Sequence, residues 1–102
     1  MKLATQADRF LRRAANDDRL LPSHISLYMA MFYYSPDKPG DHFQVSRKKL
    51  MCFSRIKSIA TYHKCIKELV AYGYVDYQPS YDPYQASSVA LLTHTGKARY
   101  TD

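Results

Sequence analysis

The chain has 102 residues, of which 46% are hydrophobic and 24% charged, with a formal net charge of +6. This composition fits one globular domain spanning residues 1–102 and argues against a disordered chain. No apolar run approaches the roughly 20 residues of a membrane span, and the amino-terminal residues lack the apolar stretch of a signal peptide. Because its two cysteines show no CxxC spacing, we expect a reduced, cytoplasmic protein.

The positive charge is concentrated in the middle of the chain. Residues 46–75 carry seven Lys and Arg against a single acid, whereas the remainder holds eight residues of each sign. A basic block without neighbouring acids indicates a polyanionic partner, while scattered charge would indicate only a solvated surface. A basic patch without a function is the alternative interpretation.

Two helices are predicted ahead of the basic block. The first covers residues 4–15, is amphipathic, and has an apolar face made of Ala7, Phe10, Leu11 and Ala14. This accessory helix can pack on the domain or on a second copy of the chain, and the sequence leaves both open. The second runs from a cap at Ser23 to Tyr34. Since it is apolar on nearly every side, we expect it at the centre of the core.

A turn-rich loop separates these helices from the basic block. The alternation after the loop predicts a short strand over residues 42–45. Ser46 is then expected to cap a short helix over residues 47–53, with Leu50 and Phe53 facing inward. Three cations crowd the first turn of this helix, against the helix dipole, which is a local cost that bound phosphate would offset.

The strongest pattern in the chain is a helix over residues 58–72. Ser58 is expected to cap its start, and Gly73 stands where a left-handed residue ends a helix. One face is an apolar stripe of Ile59, Tyr62, Cys65, Ile66, Leu69 and Val70. The opposite face carries Thr61, Lys64, Lys67 and Glu68, with His63 at the flank. One face therefore suits a core and the other a polyanion.

A β-hairpin is predicted after Gly73. Residues 74–78 alternate in polarity, residues 79–87 form a long turn with two prolines, and residues 88–92 return as a strand. Residues 93–102 are polar and are expected to form a frayed tail.

The order of elements from Ser23 is helix, short strand, helix, tight turn, helix, strand, long loop and strand. Over residues 23–92 this order resembles the winged-helix family of DNA-binding domains. The segments LPSHISLYMAMFYYS and KSIATYHKCIKELVAYGYVDYQPSYDPY are similar to small winged-helix proteins of the Bacteroides group, described as transcriptional regulators near mobile elements. The resemblance implies a mainly helical α+β fold, with a three-helix core, an antiparallel β-hairpin wing and, here, an extra amino-terminal helix.

The resemblance also implies how double-stranded DNA would be bound. The helix at 58–72 would enter the major groove, and the wing at 79–87 would lie along the backbone or in the minor groove. The candidate contacts are Arg47, Lys48, Arg55, Lys57, Ser58, Thr61, His63, Lys64 and Lys67, with Ser80, Tyr81, Tyr84 and Gln85 in the wing. Lysines mainly supply charge to phosphates, whereas Ser58, Thr61 and His63 can reach base edges. The helix has no Arg, Asn or Gln for a bidentate base contact, so readout is expected to be weak or to depend on DNA shape.

Other functions compete with this interpretation. The wing tip carries no Lys or Arg, which departs from many wings of the family and favours a protein-interaction module that uses the wing or the first helix. Single-strand binding would use Tyr72, Tyr74 and Tyr77 as a stacking platform, although such tyrosines are more typical of core and sheet packing. Enzymatic activity is not expected, because the chain has no Gly-rich phosphate loop and no recognisable catalytic set.

Cofactors and partners complete the expectations. Zinc is not expected at Cys52, His63 and Cys65, because a structural site needs four closely paired ligands, and both thiols are expected to be buried. No other cofactor and no small-molecule ligand is indicated. A homodimer would suit a recognition helix that spans few base pairs, since two-fold DNA sites are common.

Overall fold

The computed structural model describes residues 2–36, 42–79 and 86–92, with the backbone alone for residues 2–6. Within these ranges the protein is α+β and mainly helical, with four helices and one three-stranded antiparallel sheet. The helices are α1 (Lys2–Ala15), α2 (Pro22–Tyr34), α3 (Arg47–Ser54) and α4 (Ile59–Ala71), and the strands are β1 (Phe43–Val45), β2 (Val75–Gln78) and β3 (Ser87–Leu91). The predicted order of elements is confirmed, and each boundary moves by only one or two residues.

The sheet has the strand order β1-β3-β2, so β1 joins the outer side of the β2–β3 hairpin. Val75 pairs with Leu91 and Tyr77 with Val89, which sets the hairpin register. The inward side chains of the sheet pack with α2 and α4 in a single hydrophobic core. The predicted hairpin tip at 80–85 and the tail at 93–102 lie outside the described residues.

Helix α2 is the centre of the core, as predicted. Its buried residues are His24, Leu27, Tyr28, Ala30, Met31 and Phe32. Its predicted start is wrong, because Leu21 rather than Ser23 is the amino-terminal cap residue and Pro22 is the first helical residue. Proline suits this position, since its missing N–H is one that the first turn would leave without a partner. The side chain of His24, the third helical residue, accepts the N–H of the cap residue Leu21, which is the role that Glu or Gln has in a capping box.

His24 is buried, at 1% exposure, and uses both ring nitrogens. The backbone N–H of Leu21 donates to Nδ1 at 2.8 Å. The other nitrogen, Nε2, must therefore carry the proton, and it donates to Oε1 of Glu68 at 2.7 Å. The sequence placed Glu68 on the exposed face of the fourth helix; instead it ties α4 to the start of α2, because a buried polar ring needs a partner.

Helix α1 docks on the domain through Phe10, whose ring stacks on Tyr28 at 3.7 Å between centroids and meets Tyr74 edge-on at 5.6 Å. Arg13 lies over the Tyr74 ring at 4.0 Å and donates to the carbonyl of Gly73 at 3.2 Å. Leu11, which the sequence places on the apolar face of α1, is 52% exposed. The apolar face of α1 is thus narrower than its sequence suggests, and Arg13 contributes packing as well as charge.

The turn after α1 is held by one carboxylate. Asp17 accepts from the Tyr74 hydroxyl at 2.8 Å and pairs with the Arg19 guanidinium at 2.7 Å. Hydrogen bonding to Arg19 holds the pKa of Asp17 well below its usual range. Burial raises the pKa of Tyr74 to about 12, and its bond to Asp17 adds to this rise. Both groups therefore keep the protonation state that this contact needs at neutral pH.

Local capping signals are confirmed in the basic block. The Ser46 hydroxyl accepts from the Lys49 N–H at 3.1 Å, and the Ser58 hydroxyl accepts from the Thr61 N–H at 3.2 Å. Gly73 follows α4 with φ of 84°, which is the left-handed conformation that favours glycine. No helix in the described part of the chain is long and apolar enough to cross a membrane.

Candidate nucleic-acid interface

The turn between α3 and α4 begins with a residue in an unfavourable conformation. Arg55 has φ of 66° and ψ of 19°, and it is the only non-glycine residue with positive φ in the described ranges. An L-residue with a Cβ pays about 1–2 kcal/mol in this region, where glycine would not. Several contacts hold the turn. Ile56 is buried, Ser26 of α2 donates to the carbonyl of Ser54 at 2.6 Å, and the Arg55 guanidinium donates to the carbonyl of Cys52 at 2.9 Å. The turn is therefore fixed relative to α2.

Four of the predicted DNA contacts line one open depression beside this turn. They are Arg47 and Lys48 from the start of α3, and Arg55 and Lys57 from the turn. Its remaining lining residues are Met51, Cys52, Ile56 and Ile59. All four cations are exposed, and we call this set the cationic depression. The turn between α3 and α4 thus brings together charges that lie up to ten positions apart in the sequence.

These four cations differ from the arginines near the amino terminus. In the latter region Arg12 pairs with Asp8 at 2.8 Å, and Arg19 pairs with Asp17. No carboxylate among the described residues forms an ion pair with any Lys or Arg of residues 46–75. The one acid of that block, Glu68, is bound to His24. The positive field over the cationic depression is therefore not cancelled by acids of the described part of the chain.

Helix α4 presents the remaining predicted contacts along its outer side. Thr61, Lys64 and Lys67 are exposed, as the sequence predicts, and Ala60 and Ala71 lie on the same side of the helix. His63 is also exposed and lines a second, smaller groove together with Lys67, Tyr77 and Pro79. This groove runs between α4 and the base of the hairpin. The predicted contacts thus fall into two groups, one around the α3–α4 turn and one along α4.

A chain of hydroxyls sets the position of α4 relative to the hairpin. The hydroxyl of Tyr77 donates to Oγ of Ser87 at 3.0 Å, so the Tyr62 hydroxyl is the donor in the 3.1 Å bond to Tyr77. Burial raises the pKa of Tyr62, and its bond to Tyr77 adds to the rise, while nearby Arg47 opposes it. The hydroxyl therefore stays protonated and keeps donating. Predicted wing residues Ser80, Tyr81, Tyr84 and Gln85 lie outside the described part of the chain.

Ile59 is the main correction within α4. The apolar spacing predicts it to be buried, yet 50% of it is exposed and it lines the cationic depression. Every residue from Lys57 to Thr61 is exposed, so the first turn of α4 extends beyond the core. Periodicity reports the angle of a residue around a helix but not how far the neighbouring elements extend along it. In the sequence, the position of Ile59 directly after the cap residue Ser58 was the signal that could have predicted its exposure.

Cys52 and Lys49 also differ from the sequence-based expectation. Cys52 is exposed and lines the cationic depression, so its predicted burial is wrong, whereas that of Cys65 is confirmed. The Cys65 thiol donates to Oγ of Ser23 at 3.3 Å. Lys49 does not line the depression; its ammonium lies 5.8 Å from the centroid of the Tyr34 ring. The three cations at the start of α3 therefore face two different surfaces.

An aromatic surface lies at the carboxyl ends of α2 and α3. Tyr33 is 66% exposed and stacks against Phe53 at 5.0 Å between centroids, and Tyr34 meets Tyr33 edge-on at 5.0 Å. Phe53 was expected to face inward, but 41% of it is exposed. It packs against the exposed Tyr33 of α2 and not in the core. We call Tyr33, Tyr34 and Phe53 the aromatic surface.

Tyr72, Tyr74 and Tyr77 pack in the core and against the sheet, as expected, and do not form the alternative stacking platform for single strands. Tyr74 is 2% exposed, and Tyr77 uses its hydroxyl within the Tyr62–Ser87 chain. Tyr72 is half-buried beneath the Arg19 guanidinium, which lies 4.0 Å from its ring centroid. These three tyrosines serve core and sheet packing. Within the described ranges no three His, Cys, Asp or Glu side chains lie close enough to hold a metal ion.

Comparison of the chain with protein-family models, with curated proteins and with solved structures finds no match. The winged-helix resemblance stays a prediction drawn from the order of elements and the two quoted segments.

Proposed function

We propose that the protein is a winged-helix double-stranded DNA-binding protein, acting as a small transcriptional regulator or as a DNA-bending accessory factor of a mobile element. In this proposal α4 enters the major groove, and the cationic depression contacts the phosphates that flank it. The binding is non-covalent: cations displace the counterions of DNA, and the outer side of α4 then meets the base edges. The tail, the tip of the hairpin and any second copy of the chain are not needed for this core contact.

The observation that carries the proposal is the composition of the cationic depression. Arg47, Lys48, Arg55 and Lys57 lie around one open surface beside the first turn of α4, and no acid of the described residues pairs with them. Uncompensated charges repel one another and lower the stability of the free protein. An arginine held at positive φ adds a further local cost. Phosphates at this surface would offset both costs.

The salt dependence of binding tests the proposal. If about five of the exposed cations each neutralise one phosphate, the logarithm of the association constant falls against log salt with a slope of roughly −4 to −5. Fluorescence anisotropy of a labelled mixed-sequence 20-bp duplex, titrated at several salt concentrations, measures this slope. A slope near zero, or no duplex binding at low salt, would remove the proposal.

The Arg55→Gly variant is expected to weaken DNA binding without lowering the stability of the fold. Glycine relieves the left-handed strain, and its greater freedom in the unfolded chain offsets part of that gain. We expect the free energy of unfolding to be unchanged or raised by up to about 1 kcal/mol. Because one phosphate contact is lost, we expect duplex affinity to fall about eightfold at 0.1 M salt. Urea denaturation and anisotropy measure the two effects, and unchanged affinity would exclude Arg55 from the interface.

The aromatic surface favours a second candidate, a protein-interaction module on the same scaffold. Exposed tyrosine and phenylalanine are typical of the centres of protein interfaces, and this surface lies on the side of α3 away from the cationic depression. The sequence suggested the wing or α1 as the protein-binding surface, whereas the structure favours the aromatic surface.

A gel shift with mixed duplex DNA at low salt distinguishes the two candidate functions. Absence of a shift, together with a stable protein complex that is lost in Tyr33→Ala, would favour the protein-interaction module.

A further inference from the structure

The exposed first turn of α4 begins with methyl groups rather than charged groups. Ile59 is 50% exposed, and the next two residues, Ala60 and Thr61, are exposed as well. The oxygen of the preceding Ser58 side chain is used in capping, since it accepts the Thr61 N–H. The lysines of α4 come only later, at Lys64 and beyond. The first turn thus offers apolar contact where a helix in the major groove comes closest to the bases.

A single exposed isoleucine on a protein surface is ordinary and needs no explanation. Ile59 is set apart by its surroundings, because it lines the cationic depression together with Arg55 and Lys57. A surface that binds only phosphates gains nothing from an aliphatic side chain. Within the major groove, base edges offer one apolar group, the 5-methyl of thymine, and aliphatic side chains contact it.

We propose that Ile59, with the neighbouring Ala60, reads thymine 5-methyl groups and gives the protein a preference for thymine in the major groove beneath the first turn of α4. This inference rests on the proposed DNA-binding function and names the base feature that the function would select. It also accounts for the absence of Arg, Asn and Gln from α4, since a methyl reader needs no bidentate donor. Ile59 is thereby a specificity-determining residue, and the surrounding cations supply affinity.

Paired duplexes that differ only in methyl groups test the inference. A 20-bp duplex of mixed A·T sequence is compared with the same duplex in which deoxyuridine replaces thymidine, which removes the methyl and keeps the phosphates and base pairing. A G·C duplex with cytosine or with 5-methylcytosine adds the methyl at the same groove edge. Contact with one or two methyls predicts about four- to fifteenfold tighter binding to the methylated member of each pair.

Two matched variants assign the preference to Ile59. Ile59→Ala is expected to bring the ratio between methylated and unmethylated duplexes close to one while keeping the salt slope. Leu11→Ala, which alters an aliphatic residue of similar exposure on α1, is expected to leave the ratio unchanged.

The outcomes separate the inference from the proposed function. Equal affinity of the unaltered protein for both members of each pair, with a normal salt slope, overturns methyl reading and leaves DNA binding standing. An unchanged ratio in Ile59→Ala overturns the role of Ile59. No binding to any duplex overturns the inference and the proposed function together.

Discussion

Replacing Arg47 and Arg55 together by glutamine is expected to weaken duplex DNA binding about 60-fold at 0.1 M salt. Both guanidinium groups line the cationic depression, one from α3 and one from the turn before α4. If each neutralises one phosphate, the magnitude of the salt slope also falls by about two, because each contact contributes about 0.9 to it. Anisotropy titrations at several salt concentrations measure both numbers on the same samples.

The matched control is Arg9→Gln with Arg12→Gln, which removes the same charge from the exposed side of α1. Both arginines are exposed, and Arg12 pairs only with exposed Asp8. If net charge alone drove binding, the two double variants would lose affinity equally. We expect the control to lose less than threefold, because its charges lie outside the proposed contact. Equal losses would mean that the cationic depression has no special role.

Replacing His24 by alanine is expected to destabilise the protein by about 2–4 kcal/mol. The ring fills buried space, accepts the Leu21 N–H and donates to Glu68, so its removal leaves a cavity and two unmet polar groups. Urea denaturation measures the loss. Loss of the His24–Glu68 hydrogen bond also allows α4 to move more relative to α2. Duplex affinity is therefore expected to fall even at temperatures where the protein is still folded.

A second histidine–carboxylate pair provides the control for His24. His42 lies 3.2 Å from Asp76, but its side chain is 46% exposed. Water replaces such a partner, so His42→Ala is expected to cost less than about 1 kcal/mol. Both sites contain a histidine–carboxylate hydrogen bond, so the contrast tests whether burial and the additional Leu21 bond are what make His24 more important. A similar loss of unfolding free energy in both variants would show that the buried environment of His24 does not determine its contribution to stability.

Features that depend on a few neighbouring residues could be predicted from the sequence. Ser46 and Ser58 cap helices because a hydroxyl reaches a backbone N–H three residues away, whatever the rest of the fold does. Gly73 ends α4 because its missing Cβ permits positive φ. For the same local reason the order of elements was predictable. The start of α2 was not predictable, because the cap residue is Leu21, whose side chain cannot accept a hydrogen bond, and its N–H is bound instead by the ring of His24 in the first turn.

Burial at the ends of helices required the tertiary structure. Leu11, Phe53 and Ile59 all fit an apolar stripe, and all three are largely exposed. A stripe is buried only as far as its neighbours extend, and their extent depends on how the helices and the sheet are placed. The hydrogen bond of Glu68 also depends on how the helices are placed, because its partner His24 lies 44 positions earlier in the chain.

By itself the sequence determined that residues 46–75 hold the excess positive charge, and that a capped amphipathic helix carries two of its lysines. Only the tertiary structure decided that Arg47, Lys48, Arg55 and Lys57 share one surface, that Lys49 faces another, and that Ile59 stands among the cations. Charge and capping are properties of residues and their near neighbours, which sequence records directly. Proximity between α3, the turn and α4 depends on the packing of all three against α2, which no local pattern encodes.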